Sequence, residues 1–119
     1  MVESQEDRPL APRVGTRRLQ EIGNAFKQAG TLMAAIELDL FSEIDKGPAA
    51  LPEIAQRIGL SLDNADKLVT ACAAMDLLEK REGKYCNAPD VGRYLIKGKI
   101  TYIGFWILNA RSSIDRWKD

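Results

Sequence analysis

The sequence contains no histidine, and this absence removes the commonest general base and metal ligand from its chemistry. Its two cysteines, Cys72 and Cys86, have no metal-binding spacing, and we expect both to be reduced structural thiols rather than a disulfide. Net charge is also absent, since 17 basic residues balance 17 acidic ones across 119 residues. No overall electrostatic field therefore draws the chain toward nucleic acid or an anionic membrane, and neither is expected as a partner.

Catalytic motifs are missing as well. The sequence has no glycine-rich dinucleotide loop, no phosphate-binding loop, no nucleophile elbow and no carboxylate pair with a partner base. Ser112 and Ser113 have no histidine to activate them. We therefore predict no catalytic, cofactor-binding or metal-binding residue in this chain, and no activity for the chain alone.

Long hydrophobic runs are absent too. The most apolar segment, which begins near Ile100, is about half of the ~20 residues that a membrane-spanning helix needs. Residues 1–15 are charged and contain Pro9 and Pro12, and they lack the apolar region of a signal peptide. We interpret them as a disordered lead-in and the protein as cytoplasmic.

What is present is a stretch, residues 47–87, that predicts two short helices and a hairpin. The first helix has apolar residues at steps of three and four, a proline in its first turn and a terminating glycine: Leu51, Pro52, Ile54, Ala55, Ile58 and Gly59. Ser61 is a good N-cap for the second helix, and Asp63 places negative charge at the positive end of its dipole. After Leu78, a charged segment contains Gly83, which can supply the positive φ of a three- to five-residue hairpin loop. The predicted fold class is therefore mainly α, a winged helix-turn-helix with a small β-hairpin wing.

A long helix is predicted before this unit. From Thr16 onward, apolar residues step by three and four along one face: Leu19, Ile22, Phe26, Ala29, Met33 and Ile36. Gly23 and Gly30 weaken that helix by about 1 kcal/mol each, so a break or kink is expected near Gly30. A short helix follows and ends at residues 46–48, where lysine, glycine and proline form a strong stop.

Two more helices are predicted after the wing. Asn87 can cap a short one that runs through Tyr94 to Ile96. The segment from Ile100 to Trp117 has apolar residues at helical steps and is apolar nearly all round in its first half. Such a helix must be buried on every side, and a small winged helix has too little interior to bury both long flanking helices.

An obligate homodimer through the N- and C-terminal helices solves this problem. Leaving two apolar seams in water would cost many kcal/mol, at roughly 25 cal/mol per Å² of apolar area. The residues predicted at the dimer interface are Leu19, Ile22, Phe26, Met33, Ile103, Trp106, Ile107 and Ala110. The alternative is that both helices fold back on their own winged helix and saturate it.

A winged helix-turn-helix that reads DNA needs basic and polar side chains on its second helix. Here that helix presents Asp63, Asn64, Asp66, Lys67 and Thr70. Two carboxylates against one ammonium would repel phosphates, so DNA binding is disfavoured. A dimeric winged-helix transcription regulator remains the alternative function.

Several landmarks in order resemble one known family. They are the segment AIELDLF at residues 35–41, the Gly47-Pro48 turn, the helix at residues 51–58, the segments 68–78 and 85–95, and Trp117. Residues 16–119 are similar in this way to the N-terminal dimerisation domain of S-adenosylmethionine-dependent O-methyltransferases, the group of plant caffeate-type and bacterial antibiotic-tailoring enzymes. Asp76 departs from the pattern, because the family usually has glycine there.

The resemblance implies a dimerisation and substrate-lid domain of an enzyme that methylates a small-molecule hydroxyl or phenol. Residues 1–15 are then a lead-in, residues 16–99 the dimerisation helix plus winged helix, and residues 100–119 a dimerisation and linker helix. That helix would lead to a Rossmann-like catalytic domain, which would hold S-adenosylmethionine and which this sequence does not include. We therefore expect a piece of a longer enzyme, with a stand-alone domain that pairs with a full-length enzyme as the alternative.

The resemblance also suggests where the small-molecule acceptor would lie. In similar enzymes the first helix reaches into the partner's acceptor pocket, which places Asn24 and Gln28 there. The last helix lines the pocket of its own chain, which places Leu108 and Asn109 there. An amide beside such a cleft could orient a phenol or hydroxyl by hydrogen bonding.

Overall fold

The structure, a computed structural model, describes residues 15–109. Its helices and strands, in chain order, are α1 (Arg17–Glu37), α2 (Leu40–Ile44), α3 (Leu51–Ile58), α4 (Leu62–Ala74), β1 (Leu78–Arg81), β2 (Lys84–Asn87), α5 (Pro89–Tyr94) and α6 (Gly104–Asn109). This part of the chain is mainly helical with a small antiparallel sheet, which confirms the predicted fold class. The predicted lead-in up to Val14 and the predicted helix beyond Asn109 lie outside the described residues.

Local sequence signals account for the helix-turn-helix formed by α3 and α4. Gly59 ends α3 in the left-handed conformation, with φ at 75°. Ser61 then caps α4, because its Oγ accepts a hydrogen bond from the backbone N–H of Asn64 at 3.1 Å. The predicted ends of these helices are confirmed, and α4 packs against α1, α3 and β1.

The wing is a tighter hairpin than the sequence predicts. Arg81 pairs directly with Lys84, so the loop is the two-residue turn Glu82-Gly83 and not three to five residues. Both turn residues have positive φ, 52° and 79°, as in the type I′ turns that match the twist of two-residue hairpins. The prediction underestimated how readily a glutamate next to a glycine takes the left-handed conformation.

A short backbone bridge extends the wing toward the loop before α3. The N–H of Tyr85 donates to the carbonyl oxygen of Ala49 at 2.8 Å, and the N–H of Ala49 donates back to Tyr85 at 3.1 Å. This pair of hydrogen bonds adds one residue of a third strand to β2. It fixes the hairpin to the helix-turn-helix and so completes the winged arrangement.

The core lies where the last turns of α1 and the helices α2 to α5 meet the hairpin. The largest fully buried side chains are Phe41, Leu40, Ile54, Val69, Val91 and Cys72. Burial raises the pKa of the Cys72 thiol from 9.0 to about 12, so this thiol is protonated and packs as a small apolar group. Cys86 is half-buried, and both cysteines are free thiols.

α1 is one uninterrupted helix of 21 residues. The break predicted near Gly30 is therefore wrong, since both Gly23 and Gly30 lie within the helix, and the kink given as its alternative stays a prediction. An added Cβ at either position would meet no atom within 4 Å, so no close contact requires a glycine there. The glycines lower the intrinsic stability of α1 without ending it.

Asn87 does not cap α5, contrary to prediction. It belongs to β2, where it pairs with Leu78, and its Nδ2 donates a hydrogen bond to the backbone oxygen of Phe41 at 2.9 Å. The residue at the N-cap of α5 is Ala88, which Pro89 follows. The side-chain amide of Asn87, which the sequence predicted as a helix cap, instead joins the wing to α2 through a long-range hydrogen bond.

Asp76 follows α4 with φ at 60°, in the left-handed conformation. Glycine adopts this conformation at no steric cost, and aspartate is among the few other residues that tolerate it. Asp76 therefore adopts a left-handed turn conformation at the position where the resemblance implies glycine.

Residues 97–103 connect α5 to α6 and are held against the body by hydrogen bonds. The backbone N–H of Lys97 donates to Ser42 Oγ at 3.1 Å, and the N–H of Ile103 donates to the carbonyl oxygen of Tyr94 at 2.8 Å. α6 consequently begins at residue 104, later than the predicted start at residue 100, and it packs against α1. Among residues 15–109, no helix is long and apolar enough to span a membrane.

Candidate self-association site

The first two thirds of α1, residues 17–30, is exposed along its whole length, and we call this segment the arm. Contact with the rest of the chain, the body, begins at Thr31, and Ala35 and Ile36 are buried. The exposed fractions of the arm's large apolar side chains are 61% for Leu19, 60% for Ile22 and 66% for Phe26. The predicted apolar face of the helix is present, and within one chain it is uncovered.

α6 and the residue before it expose a second apolar surface. Ile103, Phe105 and Trp106 are 41%, 68% and 73% exposed. Ile107 and Leu108 are half-buried and pack against the core. The apolar composition of this helix requires burial on every side, and one chain alone does not provide it.

An apolar groove of about 200 Å³ lies between the base of the arm, α5 and α6. Its lining residues are Leu32, Leu77, Asp90, Val91, Tyr94, Leu95, Ile103 and Ile107. Only Ile103 and Ile107 of this set were predicted at the interface. The three- and four-residue spacing of Val91, Tyr94 and Leu95 is the sequence signal that could have identified the α5 side of the groove.

The arm and the groove cannot cover each other within one chain. Leu32 lines the groove, and Phe26 lies six residues earlier in the same helix, which places it about 9 Å away along the axis at 1.5 Å per residue. Leu19 lies about 20 Å from Leu32 by the same measure. Of the other predicted interface residues, Met33 is half-buried and Ala110 lies outside the described residues. Adjoining apolar surfaces of this extent are typical of interaction sites.

Two of the predicted acceptor-pocket residues lie on the arm, and the other two lie on α6. Asn24 and Gln28 are exposed on the arm, and at 100° per residue they point roughly opposite to the stripe of Ile22 and Phe26. Leu108 packs against the core, and Asn109, the last residue of α6, is exposed. A single chain does not enclose these four side chains in one pocket.

The DNA-facing position of the winged helix is not basic. On α4, Lys67 Nζ forms an ion pair with Asp63 Oδ2 at 3.2 Å, and Thr70 Oγ1 donates a hydrogen bond to Asp66 Oδ1 at 3.2 Å. The single ammonium of this surface is thus matched by a neighbouring carboxylate. Among the described residues, no cluster of three or more histidine, cysteine, aspartate or glutamate side chains could hold a metal ion.

Comparison with known families and sequences identifies what the chain is similar to. The pattern of the O-methyltransferase dimerisation domain matches residues 20–98. The chain is 38% identical over 100 residues to a 3-hydroxy-5-methyl-1-naphthoate 3-O-methyltransferase of Streptomyces sahachiroi, and the matched region covers 83% of this chain and 29% of that enzyme. It is 34% identical over 110 residues to the N,N-dimethyltransferase OxyT of Streptomyces rimosus, and the matched region covers 92% of this chain and 32% of that enzyme.

Solved structures give the same result for the fold. An O-methyltransferase family protein of Burkholderia thailandensis superposes with a TM-score of 0.77 at 25% identity, covering 88% of this chain and 31% of that one. Human N-acetylserotonin methyltransferase in complex with SAM superposes with a TM-score of 0.75 at 27% identity, covering 98% of this chain and 34% of that one. The chain thus spans about a third of the length of these four proteins.

Proposed function

The chain belongs to the O-methyltransferase dimerisation-domain family, and from this premise we propose that it is the dimerisation and substrate-lid domain of a cytoplasmic, S-adenosylmethionine-dependent methyltransferase. Its substrate is a small-molecule hydroxyl or phenol. The observation that carries the proposal is the exposed apolar stripe of the arm beside an apolar groove that the same chain cannot fill. The cofactor and the chemistry belong to a Rossmann-like domain of the complete enzyme.

Self-association of two copies would cover both surfaces at once. In a two-fold dimer each arm lies against the groove and α6 of the partner, so one contact occurs twice. Burying Leu19, Ile22 and Phe26 contributes roughly 3–6 kcal/mol per arm before the entropy cost of association, because about two thirds of each side chain is exposed and a full burial contributes about 1.5–3 kcal/mol. Trp106 and Phe105 add further apolar area next to the groove.

The arm can serve the dimer and an acceptor pocket together because its two faces differ. The apolar stripe faces the partner body, and Asn24 and Gln28 on the other side stay available for hydrogen bonding. In the complete enzyme these amides, together with Leu108 and Asn109 of α6, line the acceptor pocket. A side-chain amide both donates and accepts, which suits a hydroxyl group that must be oriented before methyl transfer.

The experiment that tests the proposal is multi-angle light scattering on the 13.2 kDa chain. We expect the mass of a dimer for the unaltered chain and the mass of a monomer for Phe26→Asp, since the substitution places a charge within the stripe that the dimer would bury. Gln20→Asp is the matched control, because it adds the same charge to the arm away from the stripe and should leave the dimer intact. A monomeric unaltered chain, or equal dissociation by both variants, would contradict the proposal.

A further inference from the structure

The arm is a helix without tertiary support. Every residue from Gly15 to Gly30 is exposed, and the polar contacts seen within the arm are local. Gln20 Nε2 donates to Thr16 Oγ1 at 2.9 Å, and Arg17 pairs with Glu21 at 3.5 Å. Most helical stability in proteins comes from packing of an apolar face, and the arm has no such packing within its own chain.

Local sequence signals also disfavour the helical conformation of the arm. Gly23 and Gly30 each lower the helix-forming equilibrium about fivefold relative to alanine. Thr16 makes no side-chain capping hydrogen bond, and the first turn contains no acidic residue. Arg17 and Arg18 instead place positive charge at the positive end of the helix dipole. An uncovered segment of this length is a marginal helix even with good helix formers.

Gly30 marks the boundary between the arm and the supported part of α1. Thr31 is half-buried and Ile36 is 3% exposed, so the helix is anchored immediately after this glycine. We propose that the arm folds as a helix only when a second copy of the chain covers its stripe, so that dimerisation and folding of residues 17–30 are one coupled step. This inference rests on the proposed self-association.

A second copy is the occupant that the observations favour. The arm's apolar side chains and the groove are complementary surfaces of one chain that its own geometry keeps apart, and the family it belongs to is a dimerisation domain.

Hydrogen exchange over a dilution series, with the mass of each sample measured by light scattering, tests the coupling. In monomeric samples we expect arm amides to exchange near the rate of an unfolded peptide while α4 remains protected. Arm protection should then rise in proportion to the dimer fraction. Full arm protection in the monomer, or a dimer whose arm stays unprotected, would overturn the coupling while leaving self-association in place. A chain that stays monomeric at every concentration would overturn both proposals.

Two glycine substitutions make the test quantitative. Neither Gly23 nor Gly30 has a positive φ or an atom within 4 Å of an added Cβ, so alanine fits at both. Each of Gly23→Ala and Gly30→Ala should raise arm protection in the monomer about fivefold and lower the dimer dissociation constant roughly 25-fold, because two arms fold in each dimer. Gly92→Ala in α5 is the control, because its Cβ also meets nothing within 4 Å and it lies outside the arm. An arm already folded in the monomer would show no change in the dissociation constant.

Discussion

The arm and the body have the same kind of apolar pattern, but the apolar side chains of the body are buried and those of the arm are exposed. Steps of three and four place Ile54 and Val69 in the core, where they are 1% and 0% exposed. The same steps along α1 leave Ile22 and Phe26 about two-thirds exposed. Periodicity therefore shows that a helix face must be covered, and it does not show which molecule covers it.

The difference extends from packing to the source of stability. Each body helix is supported by neighbouring elements, as when α4 contacts α1, α3 and β1. On the proposed coupling of folding to dimerisation, the stability of the arm should vary with protein concentration while that of the body does not. Substitutions of one chemical type in the two regions should therefore have different effects.

The largest expected contrast is between two phenylalanines. Phe41 is 1% exposed and Phe26 is 66% exposed. We expect Phe41→Ala to lower the free energy of unfolding by about 3–5 kcal/mol through lost burial and a residual cavity. Phe26→Ala should change the unfolding free energy of the monomer by less than about 0.5 kcal/mol, because the ring is not packed against the core.

Urea unfolding at a concentration where the chain is monomeric measures both values. Repeating the titration at high concentration sharpens the contrast, since Phe26→Ala should then lose the extra stability that dimerisation gives the unaltered chain. Equal losses for the two variants in dilute solution would mean that the arm packs on its own body.

A smaller effect concerns the buried thiol of Cys72. Its pKa is raised from 9.0 to about 12 in the folded body, so the unfolded chain loses this proton first as pH rises. The contribution of the thiol to stability is present below pH 9 and falls by up to about 1.4 kcal/mol per pH unit above it. We expect urea unfolding under reducing conditions to show this loss between pH 9 and 10.5, and Cys72→Ala to remove it.

Val69→Ala is the matched control for that experiment. Val69 lies one turn before Cys72 and is equally buried, so its truncation also leaves a cavity in the core but removes no thiol. It should lower stability by the same amount at every pH. A pH dependence that survives in Cys72→Ala would assign the loss to other groups.

Signals contained in a few neighbouring residues predicted much of the fold. The stop at Gly59, the cap at Ser61 and the positive φ at Gly83 act within one turn, and each is present as predicted. The errors arose where distant residues decide. Asn87 bonds to Phe41 across 46 positions instead of capping α5, and α1 continues through Gly30 although glycine disfavours a helix.

The candidate site was predictable only in part, for a related reason. The exposed stripe on the arm follows from spacing within one helix, so Phe26 and its neighbours could be named from sequence. The groove is formed by α1, α5, α6 and Leu77, which lies just before β1. It forms only because residues 97–103 bring α6 back beside α5, where the N–H of Ile103 donates to the carbonyl oxygen of Tyr94. The spacing of Val91 and Leu95 indicates an apolar face on α5, but no periodicity in the sequence specifies the return that places α6 beside that face.

The smallest contrast compares the first residues of two helices. Ser61 Oγ accepts a hydrogen bond from the N–H of Asn64, whereas Thr16 makes no capping hydrogen bond at the start of the arm. Ser61→Ala should therefore cost about 1 kcal/mol of unfolding free energy, and Thr16→Ala no more than a few tenths. Thermal unfolding of the monomer, compared with Ser61→Thr as a variant that keeps the acceptor, measures the difference. A cost at Thr16 equal to that at Ser61 would show that the start of the arm is capped and folded without a partner, which would remove the distinction between the two regions.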